Sequence, residues 1–260
     1  MNHYNIELNN LKITQLGIQA ISDFYRTMAI ADLEKLNLLA IATGDNSAFL
    51  NVVIDTRQQK ENSSEYVTEF YDFFKQHNVH WSWMVTNNDQ QHDLEQCGLV
   101  LLETAPSMYF DLRPDLPTEN IANLIIKQID ERDDLSTWIK PLQEGFPSKD
   151  NGEYFRQLNA KLLNQGEKKL RHYLGYYRNE AVVAGTLFLG DNAVMLHNIA
   201  TKITFQKRGF GTAFTLHLMN EAKKLGYANC YLDSSEDGFG IYQKLGFKIY
   251  SLLSFYQIKV

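Results

Sequence analysis

The sequence has 260 residues, of which 44% are hydrophobic and 22% charged, and its net charge is −6. This composition is typical of a globular protein, and the length favours two domains because one domain usually holds about 100–200 residues. The acidic balance argues against nucleic acid as a partner, since phosphate binding depends on clustered Lys and Arg. No apolar run approaches the roughly 18–20 residues of a membrane span. The N-terminus lacks the features of a secretory signal, so we expect a cytoplasmic protein that binds no membrane.

The two cysteines, Cys97 and Cys230, stand in apolar surroundings and match no metal-ligand spacing. Free cysteine is among the most frequently buried residue types. We therefore expect two small buried side chains, no disulfide framework and no metal site.

The first half of the chain alternates between strand and helix patterns. We predict strands where short apolar runs are flanked by turn residues, and helices where apolar residues recur every three or four positions. The predicted elements are strands over 38–43 and 48–54, a helix over 64–77, a strand over 80–86, a short helix over 90–98 and a closing strand pair over 99–105 and 107–112. Pro114 and Pro117 then stand among polar residues, which indicates a linker after a first domain of residues 1–113.

The second half, residues 118–260, is predicted to form a second domain. Its elements are a strand over 123–129, a helix over 135–146 that Pro141 interrupts or starts afresh, a helix over 152–166, strands over 170–177, 181–189 and 194–201, a long helix over 209–225, a strand over 229–234, a short helix over 239–246 and two closing strands. Short turns separate the three central strands, which predicts an antiparallel meander. This order of elements implies an α/β fold, a mixed sheet with helices on its faces.

The two halves repeat one pattern of elements. Residues 94–112 align without a gap with residues 242–260, and at the same offset the helix and strand upstream of each segment also coincide. Few residues are identical. A helix, a strand, a second helix and closing strands in one register nevertheless favour a true repeat over a chance likeness.

A glycine-rich loop follows the strand over 194–201. Gly209 and Gly211 open the long helix, and glycine lets backbone N–H groups approach a ligand closely. N–H groups of a first helical turn have no partner within the helix and the helix dipole is positive there, so this loop suits an anion such as a pyrophosphate. The spacing fits neither a Walker loop nor the dinucleotide-binding fingerprint. An ordinary helix start with two flexible residues is the alternative.

Two segments of the second half resemble motifs of the GNAT acetyltransferases. IATKITFQKRGFGT (199–212) is similar to motif A, whose pattern is Arg/Gln-x-x-Gly-x-Gly/Ala, and LDSSEDGFGIYQKLGF (232–247) is similar to motif B, which ends in Tyr-x-x-x-Gly-Phe. The resemblance covers residues 120–260. It implies the GNAT fold, a mixed and mostly antiparallel twisted sheet flanked by helices, and the repeat then implies two tandem copies of that fold.

The resemblance also implies acetyl-CoA as the cofactor and assigns roles to the matching residues. The CoA pyrophosphate would be held by Gln206, Lys207, Arg208, Gly209, Phe210, Gly211 and Thr212. The pantetheine arm and the acetyl carbonyl would contact backbone groups of Ile199, Ala200 and Thr201. Ser235 takes the place of a cofactor-contacting Asn, and Tyr242 falls on the general-acid tyrosine, with an ordinary core aromatic as the alternative for Tyr242.

The function implied is transfer of an acetyl group to a primary amine of a small molecule or peptide. The general base stays open among His197, Asn198, Glu144, Asp233 and ordered water. The alternatives are another acyl group, or a CoA-binding or interaction protein without catalysis. The acidity of the chain mildly favours a cationic acceptor.

The first half lacks the residues of this site. On the repeat, the two glycines of the loop correspond to Glu61 and Ser63, and the tyrosine corresponds to Leu94. A carboxylate repels a pyrophosphate, and leucine has no proton to donate. We therefore expect the first domain to be a degenerate copy without a cofactor site.

Overall fold

The computed structural model of the protein describes residues 4–57, 63–86, 90–117, 121, 123–130, 135–146 and 151–259. Contacts divide the chain into two compact units: unit 1 comprises Met1–Ser107 with Ile249–Val260, and unit 2 comprises Met108–Lys248. The carboxyl end of the chain is thus part of unit 1, whereas the sequence predicted it within a domain over 118–260. Within the described ranges, no helix is long and apolar enough to cross a membrane.

The bounds of the elements are as follows. The helices are α1 (Leu11–Met28), α2 (Ser64–Gln76), α3 (Gln91–Gln96), α4 (Ile139–Gly145), α5 (Glu153–Asn164), α6 (Phe210–Lys224) and α7 (Glu236–Leu245). The strands are β1 (Ala31–Lys35), β2 (Leu38–Ala42), β3 (Val52–Asp55), β4 (Ser82–Val85), β5 (Leu99–Asp111), β6 (Leu124–Gln128), β7 (Leu170–Tyr177), β8 (Glu180–Leu189), β9 (Val194–Thr201), β10 (Asn229–Asp233) and β11 (Lys248–Ile258).

The first two elements, α1 and β1, lie in a segment for which the patterns above predict no structure. α1 begins after Asn10, whose Oδ1 accepts a hydrogen bond from the Ile13 N–H at 3.2 Å. The helix buries Ile21, Phe24 and Met28 on one face. This spacing of apolar residues is that of an amphipathic helix packed on a core.

In unit 1 the strands follow the order β1-β2-β3-β4-β11-β5. β1, β2 and β3 pair antiparallel, β3 and β4 pair in parallel, and β11 pairs antiparallel with β4. α2 covers this sheet with Phe70, which meets Trp83 edge to face, and with Phe74, which stacks on Trp81. These four aromatic rings form much of the core of unit 1.

In unit 2 the order is β5-β10-β9-β8-β7-β6, where β5 takes part through its last residues. β6 to β9 pair antiparallel in sequence, which confirms the predicted meander, and β9 pairs with β10 in parallel. α4 and α5 pack on one face, where Trp138 and Leu142 join Ala184. α6 packs on the opposite face, where Phe214 lies against Gly185.

The predicted repeat is present in the order of the elements. α2, β4, α3 and β5 of the first half recur as α6, β10, α7 and β11. Among the described residues, β6 and α4 occur at the start of the second copy without a counterpart in the first. The fold is therefore a mixed sheet flanked by helices and built from two related copies.

One local prediction is wrong, and another is decided between two alternatives. Each closing segment forms one long strand, β5 or β11, rather than a strand pair. Neither segment holds the Gly or Asn that a tight hairpin turn needs at positive φ, and both strands pair with partners that are distant in sequence. Of the two alternatives for Pro141, a new helix start is nearer to the structure than an interruption, because α4 begins at Ile139 and Pro141 lies in its first turn, where a missing N–H breaks no intrahelical bond.

Candidate active site

The cleft of unit 2 begins where β9 and β10 separate. Their parallel register contains two residue pairs, Val194 with Cys230 and Met195 with Tyr231. Beyond these pairs β9 continues to Thr201 without pairing to β10, so the ends of the strands diverge. A bulge against β8 adds to this divergence, since Asn198 has a φ of 54° and the β8–β9 register shifts there. Bulges of this kind recur next to active sites, where they redirect the backbone.

The loop after β9 leads into the start of α6. A 3₁₀ turn over Ile203–Phe205 is followed by Gly209, whose φ of 83° lies in the left-handed region that glycine tolerates. Gly209 is the N-cap of α6, and no side chain caps the helix. The N–H groups of the first turn therefore remain available to bind a ligand at the positive end of the helix dipole, as an anion site requires.

Gly211 marks the point where three elements converge. A Cβ atom on this glycine would lie 3.4 Å from Ile241 Cδ1 of α7 and 3.5 Å from Thr201 Oγ1 of β9. The end of β9, the start of α6 and the middle of α7 therefore meet around one residue. The structure thus brings together the two segments that carry the sequence motifs, although Ile241 itself was not predicted and no pattern in the sequence identifies it.

The polar side chains of the loop have defined positions. The Gln206 Nε2 group donates a hydrogen bond to the Thr201 carbonyl oxygen at 3.2 Å. The Arg208 guanidinium stacks on the rings of Tyr177, Phe205 and Phe210, with its centre 5.1–5.4 Å from their centroids. Arg208 is exposed, and these cation–π contacts hold its charge at the rim of the loop.

Helix α4 closes against the end of β9. A Cβ atom on Gly145 would come within 2.7 Å of Ala200 Cβ, so glycine is required for this approach. The Glu144 carboxylate accepts a hydrogen bond from the Ile203 N–H at 2.8 Å. Glu144, one of the candidate bases, therefore anchors the loop after β9. Ile199 and Thr201 are half-buried and Ala200 is buried beside these contacts, and their backbone roles stay predictions.

Ser235 and Tyr242 both belong to α7. Ser235 is its N-cap, and its Oγ accepts a hydrogen bond from the Gly238 N–H at 3.2 Å. This hydroxyl group therefore has a capping role in the structure, and its contact with the cofactor stays a prediction. Tyr242 is half-buried and meets Phe247 edge to face at 5.9 Å. Desolvation raises the pKa of the Tyr242 hydroxyl to about 12. The phenol therefore keeps its proton at neutral pH.

A row of polar side chains crosses the sheet beneath α4. His172, Thr186 and His197 lie in register on β7, β8 and β9. His172 Nδ1 lies 2.9 Å from Thr186 Oγ1, and the His172 ring packs at 4.4 Å from Trp138. Burial lowers the pKa of His197 to about 3, so this candidate base is neutral at pH 7 but weakly basic.

The corresponding region of unit 1 is closed. β3 and β4 pair over all four of their residues, so these strands do not diverge. The Asp55 and Arg57 side chains form a buried ion pair, with 2.6 Å between Oδ2 and the guanidinium NH2 group. The same NH2 group donates to Ser63 Oγ at 2.8 Å. The Ser63 N–H donates to the Asp93 carboxylate at 2.8 Å, so the start of α2 is already occupied by an acidic group of the protein.

Of the three residues of unit 1 that correspond to the glycines and the tyrosine of the second half, two have clear structural roles. Ser63 is fully buried within the ion-pair network, and Leu94 is fully buried in the hydrophobic core. Glu61 lies outside the described residues. The Asp-x-Arg sequence at 55–57, directly after a strand, was the signal that could have indicated the ion pair.

Comparison with known proteins finds a family match over the residues of this site. Residues 133–247 match the family model described as Acetyltransferase (GNAT) family. The [Ribosomal protein bS18]-alanine N-acetyltransferase of Escherichia coli (strain K12) is 36% identical over 87 residues, which are 32% of this chain and 58% of that protein. The chain therefore spans 58% of the length of the curated relatives that it matches.

Solved structures extend the likeness to nearly the whole chain. A GCN5-related N-acetyltransferase from Kribbella flavida is similar over 95% of this chain and 96% of its own, with a TM-score of 0.69 and 12% identity. A tandem GNAT protein from the clavulanic acid biosynthesis pathway is similar over 84% of this chain and 77% of its own, with a TM-score of 0.58 and 10% identity. At these identities the likeness shows the fold, a tandem arrangement of two GNAT-like copies.

Proposed function

Because residues 133–247 match the Acetyltransferase (GNAT) family model, we propose that this protein transfers an acetyl group from acetyl-CoA to a primary amine. The observation that carries the proposal is the uncapped start of α6, placed where β9 and α7 converge on Gly211. Such a helix start binds phosphate groups through its N–H donors and its positive dipole end. The proposal assigns the activity to unit 2.

The residues present fit acetyl-CoA. The N–H groups of residues 210–212 would hold the pyrophosphate, with Lys207 and Arg208 supplying positive charge at the rim. The backbone of residues 199–201 would accompany the pantetheine arm along the diverging end of β9. When bound, acetyl-CoA supplies an acetyl group that is activated as a thioester.

The chain's own groups would act on the charges that develop during the transfer. Negative charge grows on the acetyl oxygen as the amine attacks, and backbone N–H groups at the end of β9 would stabilise it. Tyr242 would then give its hydroxyl proton to the departing thiolate. A tyrosine with a pKa of about 12 is a weaker acid than a free thiol, whose pKa in water is about 8.5. Proton transfer therefore requires a dry site in which the pKa of the thiol is raised as well.

The attacking amine must also lose a proton. His197 is neutral at pH 7, but the burial that lowers its pKa to about 3 makes it a poor proton acceptor. The Glu144 carboxylate is exposed and engaged with the loop after β9. We therefore propose water in the cleft as the acceptor of this proton in preference to these two side chains.

The acceptor is proposed as a primary amine of a small molecule or peptide. The Escherichia coli relative is named for an alanine of a ribosomal protein, which is an amine on a protein. For this chain we propose only that the acceptor group is an amine. A net charge of −6 favours a cationic acceptor by long-range attraction.

Release of the CoA thiol from acetyl-CoA tests the proposal, with the purified protein and a panel of polyamines, lysine peptides and peptides with an N-terminal alanine. Thiol release with at least one amine, absent from the Gly211→Glu variant, would support it. Binding of acetyl-CoA without release across the panel would favour a non-catalytic CoA-binding protein. Faster release from a longer acyl-CoA would favour a different acyl donor.

A further inference from the structure

A groove of about 690 Å³ lies in unit 1, at the carboxyl end of α2. The turn after α2, including His80, forms one wall, and the end of β11, including Gln257, forms the other. Trp81 lies at its base and is 7% exposed. This groove is on unit 1 and takes no part in the proposed acetyl transfer.

The groove is cationic although the protein as a whole is acidic. Lys75 and Lys259 line it, and none of the lining residues is Asp or Glu. The Lys75 ammonium group lies 5.8 Å from the ring centroid of Tyr71, on the same helix. Among the described residues, Lys75 forms no ion pair. An exposed cation beside a polar groove is well placed to receive an acceptor group from another molecule.

The repeat within the chain provides a counterpart of Lys75 whose contacts are known. Lys75 corresponds to Lys223, since both stand in the last turn of equivalent helices, α2 and α6. In unit 2, Lys223 Nζ donates to the Pro114 carbonyl oxygen at 2.6 Å and to the Arg113 carbonyl oxygen at 3.3 Å. The Asp115 carboxylate lies 3.8 Å from the same nitrogen.

The segment that contacts Lys223 is also held by a backbone hydrogen bond. The Leu112 N–H donates to the Ala228 carbonyl oxygen at 2.9 Å, in the turn that follows α6. Leu112 is itself fully buried. A short proline-containing stretch therefore covers the end of α6 through its backbone, one apolar side chain and the Asp115 carboxylate. In unit 1 the counterpart of the Ala228 carbonyl is that of His80, which accepts a hydrogen bond from Asn51 Nδ2 at 2.8 Å. No described segment of unit 1 presents its carbonyl oxygens to Lys75 as Arg113 and Pro114 do to Lys223.

We infer that the groove at the end of α2 is a binding site for a peptide segment that carries a carboxylate. Lys75 donates to the carbonyl oxygens of the segment, as Lys223 does in unit 2, and attracts its acidic side chain. Lys259 adds a second positive charge on the opposite wall. The exposed ring of Tyr71 offers apolar surface to the residues that flank the carboxylate.

The chain itself supplies the probe. A fluorescent peptide with the sequence FDLRPDLP, residues 110–117, blocked at both ends, is titrated with the full-length protein and its anisotropy is followed. The matched peptide FNLRPNLP removes only the two carboxylates. The protein variants are Lys75→Ala and Lys75→Arg, with Lys12→Ala on the exposed face of α1 as the control.

The acidic peptide is expected to bind the native protein and the Lys12→Ala variant equally. Lys75→Ala is expected to weaken binding about tenfold, as loss of a charged hydrogen-bond donor does, and Lys75→Arg to restore most of it. The amide peptide is expected to bind more weakly, and added salt to weaken the acidic peptide. No binding of the acidic peptide, or equal binding by native protein and Lys75→Ala, would overturn the inference. Equal binding of both peptides would overturn the role of the carboxylate.

Discussion

Gly238 lies directly beneath the ring of Tyr242, one turn earlier on α7. A Cβ atom on Gly238 would come within 2.9 Å of Tyr242 Cε2, a distance that two carbon atoms do not tolerate. Phe247 meets the same ring edge to face. The position of the tyrosine therefore depends on a glycine, and it can be disturbed without removing the hydroxyl group.

Replacement of Gly238 by alanine should displace the Tyr242 ring. A misplacement of about 1 Å can cost about 100-fold in rate, so we expect kcat to fall about 10- to 100-fold while affinity for acetyl-CoA stays unchanged. Gly240→Ala is the matched control, because no atom lies within 4 Å of a Cβ at that position. Steady-state kinetics and calorimetric titration measure the two quantities. Equal kcat in both variants would show that the ring position is unimportant.

Tyr242→Phe keeps the aromatic ring and removes the proton donor. General acid catalysis contributes about 10²–10⁴-fold, so kcat should fall within that range, with little change in the dissociation constant of CoA. Tyr227→Phe is the control, since Tyr227 donates to the Gly190 carbonyl oxygen as a structural contact. A kcat within about twofold of native, with acyl transfer rate-limiting, would make Tyr242 a core aromatic only.

We predict that one acetyl-CoA binds per chain. The start of α2 in unit 1 is filled by the Asp93 carboxylate, whereas the start of α6 has no side-chain cap. Gly211→Glu should abolish binding by placing a bulky negative charge at the start of α6. Gly211→Ala should weaken it only slightly, because its Cβ would meet neighbours at ordinary distances of 3.4 and 3.5 Å. Calorimetric titration gives the stoichiometry. A value near two would contradict the prediction, because it would mean that unit 1 also binds acetyl-CoA.

The buried ion pair of unit 1 should be sensitive to loss of one partner. Asp55→Asn leaves the Arg57 charge buried without its carboxylate, and such changes typically cost about 3–5 kcal/mol in the free energy of unfolding. The exposed pair of Arg26 and Glu34 provides the comparison, where Arg26→Ala should cost about 1 kcal/mol or less. Denaturant unfolding measures both. Similar small losses for the two variants would show that the buried pair is dispensable.

Acid should destabilise the protein partly through His172. Burial lowers the pKa of this histidine to about 3, against about 6.5 in an unfolded chain. Between these values the unfolded chain binds a proton that the folded protein does not, so the free energy of unfolding falls as the pH drops from about 6.5 towards 3. His172→Gln should reduce the slope of the thermal midpoint between about pH 6.5 and 4. His92→Gln, at an exposed position, should leave the slope unchanged, and equal slopes for all three proteins would contradict the prediction.

Local sequence patterns were sufficient for much of unit 2. The meander, the glycine loop and the motif around Tyr242 depend on short-range spacing, which a single sequence displays. α1 was missed because Gly17 and the β-branched residues Ile13 and Ile18 lower its helical propensity, while tertiary burial of one face stabilises it. In unit 1 the buried hydrogen-bond network links Asp55 through Arg57 to Ser63, and Ser63 to Asp93, which follows it by 30 residues. No local pattern could have predicted that these side chains meet.

The place of β11 in unit 1 has a consequence for folding during synthesis. β11 pairs with β4, yet all residues of unit 2 are translated between these two strands. Domains usually fold in the order in which they leave the ribosome, with the N-terminal one first. Here the sheet of unit 2 can form as soon as β10 has left the ribosome, because its other strands, β5 to β9, precede β10 in the chain. Most of unit 1 is translated before unit 2, but the position between β4 and β5 in its sheet stays empty until β11 has been translated.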